Sequence, residues 1–349
     1  MNRTLVEAML RGERAPRAVA GPLAVHYCAR LAGFSMREYT LDANAIAESV
    51  ARYYERVQPD AVWLSADTWV SAQAMGAPVD FPGPDQPLAG TGEPLIQVPA
   101  DLDRIPAPAP AKQGRYPLML AALRRLRELL GCEVFIVACF DQYPFSLACA
   151  LMGLQSAMCQ AVEDRALLLA VMERAADYAV AYGTALAEAG ADMLSGGDSP
   201  AGLLGPKLYR ELALPFEQRV IDALHARVKI PVSLHICGNA TPLLSDMARS
   251  GADVLELDHL TPLSQALAVV PSQTALWGNL DPVGLLAQSS PDAVARAAQT
   301  VLRQVQAAGR RRFVLSSGCT LAMETPVDNV RALIDAARES QDIWGAEDT

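Results

Sequence analysis

The sequence predicts an α/β protein folded as a single (β/α)8 TIM barrel, and three observations carry that expectation. Strand-like apolar runs alternate with amphipathic helical stretches from about residue 20 to the end, a pattern that pairs strands in parallel through crossover helices. About eight or nine such units fill the 349 residues, which favours a closed barrel over an open doubly wound sheet. Residues that can do chemistry gather at or just beyond the ends of those runs: His26, Asp67, Cys139, Asp198, His235, Asp258, Asn279 and Cys319. A barrel builds its active site at those ends.

The elements follow in order along one domain, 1–349. Residues 1 to about 20 form an N-terminal extension. Pro22 to Tyr27 reads as the first strand, Ala43 to Arg56 as an amphipathic helix and Ala61 to Leu64 as the second strand. About 76–111 is rich in proline and glycine and lacks periodicity, so it is expected to be a long surface excursion with short strands. Tyr116 to Leu130 is a strong helix, Val134 to Ala138 a strand, Arg165 to Ala189 a long helix and Asp192 to Leu194 a strand. Pro206 to Ala226 reads as a helix interrupted at Pro215. Four further strands are expected at Pro231–His235, Asp253–Leu257, Thr274–Trp277 and Phe313–Ser316. Helices at Thr241–Ser250, Pro262–Ala268 and Pro291–Ala308 separate them, and a helix at Val327–Arg338 closes the chain.

Composition narrows the class. With 51% hydrophobic residues the chain can bury a large core, and no uninterrupted apolar run of about 18 residues suggests a transmembrane helix. The opening residues, Met1 to Glu7, lack an apolar signal core, so export is not expected. Seven cysteines without scaffold spacing point to reduced thiols in a cytoplasm. The formal charge of −10 argues against nucleic acid and anionic membranes as partners. Arg310-Arg311-Arg312 precedes a strand and reads as a solvated turn.

The most informative stretch is His235-Ile236-Cys237-Gly238, answered downstream by Gly318-Cys319. Strand alternation puts His235 and Cys237 on one side of the chain, and Cys319 follows a strand in a matching place. Two sulfurs and one imidazole suit zinc, and three strong ligands leave a position open for a substrate, as in catalytic sites. On spacing alone the metal and a plain packing role weigh evenly, because buried cysteines are common small hydrophobes. For Cys28, Cys132, Cys139, Cys149 and Cys159, which lie mostly in apolar surroundings, packing is the better reading.

Beyond these residues, the chain resembles the uroporphyrinogen decarboxylase superfamily, from about Pro59 onwards. Trp277-Gly278-Asn279-Leu280-Asp281-Pro282 resembles its Gly-Asn-Leu-Asp-Pro turn, Glu324-Thr325-Pro326-Val327-Asp328-Asn329-Val330 its Glu-Thr-Pro signature, and Pro144-Phe145-Ser146-Leu147-Ala148 its Pro-Phe-Thr-Leu-Ala segment. The decarboxylase branch carries an N-terminal Arg-Gln-Ala-Gly-Arg motif that is missing from Gly21 to Gly33. The methylcobamide:coenzyme M methyltransferase branch carries His-x-Cys-Gly and a later Gly-Cys, and this chain has both. Asp67-Thr68 is similar to that branch's Asp-Thr pair, although Ser71 stands where an acidic residue belongs.

The resemblance implies a zinc-dependent methyltransferase. His235, Cys237 and Cys319 would bind zinc, with Asp258 as a displaceable fourth ligand where the branch has a glutamate; Glu256 and His259 are the substitutes. Zinc would activate a thiol, such as coenzyme M, that is otherwise poorly ionised near neutral pH, its pKa being about 8.5. The thiolate would take the methyl group of a methylcorrinoid. The chain has no Asp-x-His-x-x-Gly cobalamin motif, so a partner corrinoid protein is expected to bring that group to the barrel mouth. Asp67, Tyr143, Asp198 and Asn239 are the candidate substrate-binding residues. Turn and packing roles compete for Asp198, Tyr143 and Asn279, and loop packing is the better reading for His26. Two other functions compete: a metal-free decarboxylase or other lyase centred on Asp67, and a non-catalytic corrinoid-binding module.

Overall fold

A computed structural model describes residues 2–81 and 86–344. Its strands are β1 (Val19–Ala20), β2 (Ala61–Leu64), β3 (Val79–Asp80), β4 (Leu88–Ala89), β5 (Phe135–Gln142), β6 (Met193–Gly197), β7 (Val232–Ile236), β8 (Val254–Leu257), β9 (Ala275–Leu280) and β10 (Phe313–Ser317). Eight of them form one sheet in the order β1-β10-β9-β8-β7-β6-β5-β2, every pairing parallel. β1 and β2 are its two ends, and Asp60 joins them. The Asp60 amide donates to the Ala20 carbonyl at 2.8 Å, while its carboxylate accepts from the Ala20 amide at 2.9 Å. Arg17 holds the same carboxylate through both Nη atoms at 2.9 and 2.7 Å. The chain is a (β/α)8 TIM barrel.

Alternation along the strands builds two cores. Ala61, Trp63, Phe135, Val137, Met193, Val254, Ala275, Trp277 and Val314 form one buried cluster with Val6, Met9 and Leu10 of the helix Asn2–Arg11. The residues between them, such as Val62, Leu64, Ile136, Leu234 and Leu255, pack under the surrounding helices. The helix Asn2–Arg11 therefore plugs the N-terminal end of the barrel. Inside it, the Trp63 and Trp277 indoles meet edge to face at 5.5 Å, and both donate to the Gly21 carbonyl, at 3.3 and 2.9 Å. A Cβ on Gly21 would lie 2.5 Å from the Trp277 ring, so only glycine fits there.

Three expectations need correction. Pro22 to Tyr27 is not a strand: β1 is Val19–Ala20, and His26 instead begins a helix, His26–Ala32. Pro22 has no amide to give a neighbouring strand, which ends the pairing. Thr241 to Ser250 holds only a 3-10 turn, Thr241–Leu243, and one helical turn, Leu244–Met247. The Pro206 to Ala226 helix passes through a π segment, Tyr209–Ala213, before Leu214–His225. A π turn absorbs the carbonyl that Pro215 cannot bond.

The excursion at about 76–111 carries the antiparallel ribbon β3/β4 and a 3-10 turn at Pro99–Arg104; its residues 82–85 lie outside the described residues. Among the described residues no single helix is long and apolar enough to cross a membrane.

Candidate metal centre at the barrel mouth

β7 points Ser233 and His235 into the barrel, and Cys237 continues the same side just past its end. Gly318 and Cys319 follow β10. The Gly318 amide donates to the Leu280 carbonyl at 2.7 Å, and a Cβ there would lie 2.3 Å from the His259 amide nitrogen. Glycine thus lets the loop after β10 press against the loop after β8, which carries Cys319 inward. His235 Nε2 lies 3.0 Å from Cys237 Sγ, and Cys237 Sγ lies 3.9 Å from Cys319 Sγ. All three ligand atoms fall within 4.8 Å of one another. Two sulfurs on one tetrahedral zinc would be about 3.8 Å apart, given bonds of about 2.3 Å. The donor set and its spacing fit that ion.

The surroundings orient these ligands. His235 Nδ1 lies 3.1 Å from the Glu256 carbonyl, which assigns the proton to Nδ1 and leaves Nε2 to face the sulfurs. Glu256 pairs with His235 across β7 and β8. Its buried carboxylate accepts from Ser195 Oγ at 2.8 Å and also from Ser233 Oγ. Burial raises the Glu256 pKa, against the opposing pull of His235.

His235, Cys237 and Cys319 also bond to one another. Burial works against a charged His235, but the bond to Cys319 and the Glu256 carboxylate outweigh it and raise the imidazole to about 9. The bond from Cys319 lowers the Cys237 thiol, with help from Ser199. Cys319 itself, bonded to Cys237 and buried, is pushed up to about 12. Cys237 is therefore the first thiolate of the group.

The other expected residues are placed apart from this cluster. Asp258 Oδ1 accepts the Leu260 amide at 2.8 Å and lies 3.1 Å from His259 Nδ1. Asn279 donates to the Asp258 and Thr261 carbonyls at 3.2 and 2.8 Å, organising that loop. Asp67 is buried in an ion pair with Arg115, with Nη2–Oδ1 at 2.9 Å, and also accepts the Trp69 amide. Tyr143 is buried and donates to the Ser233 carbonyl at 2.8 Å. Asp198 is fully buried and accepts the Ser146 amide and hydroxyl at 2.8 and 2.6 Å. Asn239 is exposed and accepts the Thr241 amide at 3.1 Å. His26 Nε2 contacts the Ala66 carbonyl at 2.7 Å, and burial lowers its pKa.

Sequence reasoning missed Asp141 and the space beside it. A cavity of about 440 Å³ opens between the excursion, the helix Pro144–Met152 and the ends of β5 and β6. Gly197 is on its wall and pairs with His235 across β6 and β7, so cavity and cluster adjoin. Asp141 lines it with φ 80°, at a register break between β5 and β6. Nothing in a run such as Phe140-Asp141-Gln142 announces a break of that kind.

A (β/α)8 barrel that gathers an imidazole and two thiols at its C-terminal mouth has the architecture in which barrel enzymes build their active sites. The chain belongs to the uroporphyrinogen decarboxylase (URO-D) family, whose family model matches residues 1–340. It is 31% identical to the methylcobamide:CoM methyltransferase MtbA of Methanosarcina acetivorans, over 65% of this chain and 64% of that one. It is 28% identical to the methylated-thiol–coenzyme M methyltransferase of Methanosarcina mazei, over 86% of this chain and 78% of that one. Identity to the uroporphyrinogen decarboxylase of Syntrophotalea carbinolica is 30%, covering 83% and 82%. Among solved structures, a methyltransferase from Methanosarcina mazei superposes with a TM-score of 0.86 at 27% identity, covering 99% of both chains.

Proposed function

We propose that this chain moves a methyl group from a methylated corrinoid, carried by a partner protein, to a small thiol. His235, Cys237 and Cys319 hold zinc at the barrel mouth, and their convergence within 4.8 Å carries this reading. The methyltransferase relatives support it, and their names supply coenzyme M as one example of an acceptor. Seven free thiols fit a reducing cytoplasm.

Zinc bound at these ligands would supply a Lewis acid that ionises an incoming thiol near neutral pH and fixes its position. The chain's own residues prepare that place. Glu256 locks the tautomer of His235 through its carbonyl and, buried with two serine hydroxyls, fixes the strand behind it. A metal held there would require Nε2 of His235 and both cysteine sulfurs to be free of protons, while His235 Nδ1 keeps its own proton toward the Glu256 carbonyl. In the transfer, the acceptor S–C bond forms as the Co–C bond breaks, and the bonding pair stays on cobalt. The interior is filled by Trp63, Trp277 and their neighbours, so a corrin ring approaches only from outside, over the mouth.

The decarboxylase relatives suggest a metal-free lyase as the second reading. Its polar centre would be Asp67, whose two oxygens are already engaged with Arg115 and the Trp69 amide. Metal analysis of purified protein beside Cys237→Ala separates the two. Near-stoichiometric zinc that is lost in the variant, together with methylcobalamin consumption by thiols, is the expected result. Protein without zinc after purification under reducing, chelator-free conditions would overturn it.

A further inference from the structure

We propose that the methyl acceptor is a thiol with an alkyl or aryl tail, which passes over Gly197 into the apolar cavity beside the metal ligands. The proposal rests on the methyl-transfer reading and narrows its substrate.

Gly197 makes the passage. β6 turns Met193, Ser195 and Gly197 toward the barrel interior, and Gly197 stands beside His235 where β6 pairs with β7. Neighbouring strands lie about 4.8 Å apart, so a sulfur at the ligand cluster is a short chain away from the cavity that Gly197 lines. A Cβ on Gly197 would meet only the Asp141 carbonyl oxygen, at 3.8 Å. A Cβ on Gly196, by contrast, would lie 2.2 Å from the Phe140 ring. Packing demands the first glycine of the pair, whereas the second leaves space between cluster and cavity.

The cavity offers a ligand carbon rather than charge. Trp69, Pro78, Pro94, Leu95, Ala150 and Leu154 supply apolar wall, and Leu154 keeps 47% of its surface exposed there for a tail to cover. Polar groups on the wall are turned to the protein. Ser146 gives its amide and hydroxyl to Asp198, Gln142 donates to the Thr68 carbonyl, and Asp141 accepts the Ser71 amide. Among the described lining residues none is lysine, arginine or histidine, and residues 82–85 contain none in sequence. Nearby cations are engaged elsewhere: Arg115 with Asp67 and Gln73, Arg104 with the Leu95 carbonyl, and Arg37 with the Phe81 carbonyl. A sulfonate or carboxylate tail would lose water there without gaining a cation. An alkyl tail gains about fourfold in affinity with each methylene buried, and about 440 Å³ has room for a butyl or benzyl group.

Ethanethiol, propanethiol, butanethiol and 2-mercaptoethanesulfonate, which is coenzyme M, test the proposal on the zinc-loaded full chain. Binding is measured by calorimetry, and methyl transfer by the loss of free methylcobalamin. Dissociation constants should fall about fourfold with each added methylene. Butanethiol should bind roughly tenfold or more tightly than coenzyme M. Gly197→Val puts a side chain in the passage and should flatten the dependence on tail length while zinc is retained. Leu154→Lys, at an exposed position on the wall, should weaken butanethiol and strengthen coenzyme M. That second variant decides the matter should Gly197→Val fail to fold. Affinities that ignore tail length, coenzyme M binding as tightly as butanethiol, or a length dependence that survives in Gly197→Val would overturn the proposal. If the length dependence is present and lost in Gly197→Val but no thiol consumes methylcobalamin, the methyl-transfer reading falls and the cavity assignment stands.

Discussion

Cys319 reaches His235 and Cys237 because Gly318 has no side chain. Gly318→Ala would drive a Cβ to within 2.3 Å of backbone at His259, so the β10 loop must back away and take Cys319 with it. The expected outcome is loss of most bound zinc, read by metal analysis, with far-UV circular dichroism close to that of the unmodified chain. Retained zinc would mean that the loop gives way without moving Cys319. Asp67 tests a different residue-scale effect, since it and Arg115 are both buried. Removing one partner of a buried pair leaves the other charge uncompensated, at a cost of about 3–5 kcal/mol. Asp67→Ala should therefore lose stability on that scale in urea unfolding while its zinc content is unchanged. A variant with full stability and a raised KM for the thiol would place Asp67 in substrate binding instead. His235 and Cys237 were legible as a pair because a strand turns every second side chain the same way. The carbonyl of Glu256 was not, because a backbone atom leaves no mark on residue type.

At the scale of elements, the N-terminal helix Asn2–Arg11 is part of the barrel's own core. Val6 and Met9 are fully buried against the interior cluster. Met9→Ala should cost about 2–5 kcal/mol, seen as a lower denaturation midpoint; a change within about 0.5 kcal/mol would mark the helix as a loose appendage. This role was hidden in the sequence, where the segment reads only as an extension, because an amphipathic stretch does not say which surface it covers. Long elements were legible: Tyr116–Leu130 and Val327–Arg338 match their expected bounds, since each repeats its apolar face over several turns. β1 has two residues and no period to read, so the apolar run after Pro22 drew the strand away from its true place. The π segment before Pro215 was partly visible, as proline fixes where a helix must adjust but not how.

Across the whole molecule, the barrel keeps several carboxyl groups buried behind the mouth, and this couples its stability to pH. Burial raises Asp198 to about 6, although its bonds from Ser146 oppose the shift, and burial also raises its neighbour Glu217. Asp198 Oδ2 and Glu217 Oε1 have no hydrogen-bond partner, the two carboxyls interact, and a proton held between them would satisfy both, while Tyr209 donates to Glu217 at 2.5 Å. A carboxyl that holds its proton more tightly when folded stabilises the fold fully below its ordinary value of 3.8, and that contribution is lost as pH rises through about 6. For Asp198 alone the change is on the order of 2–3 kcal/mol. Asp141, raised to about 7 by burial, adds a loss of the same sign slightly higher in the range. Asp198→Asn is uncharged at every pH and can still pair with Glu217. Its melting temperature should therefore fall less between pH 5 and pH 8 than that of the unmodified chain, with the two curves converging toward acid. Parallel curves across that range would show that the pair is ionised in the fold, and that the rigid wall between the helix Pro144–Met152 and β6 does not depend on a shared proton.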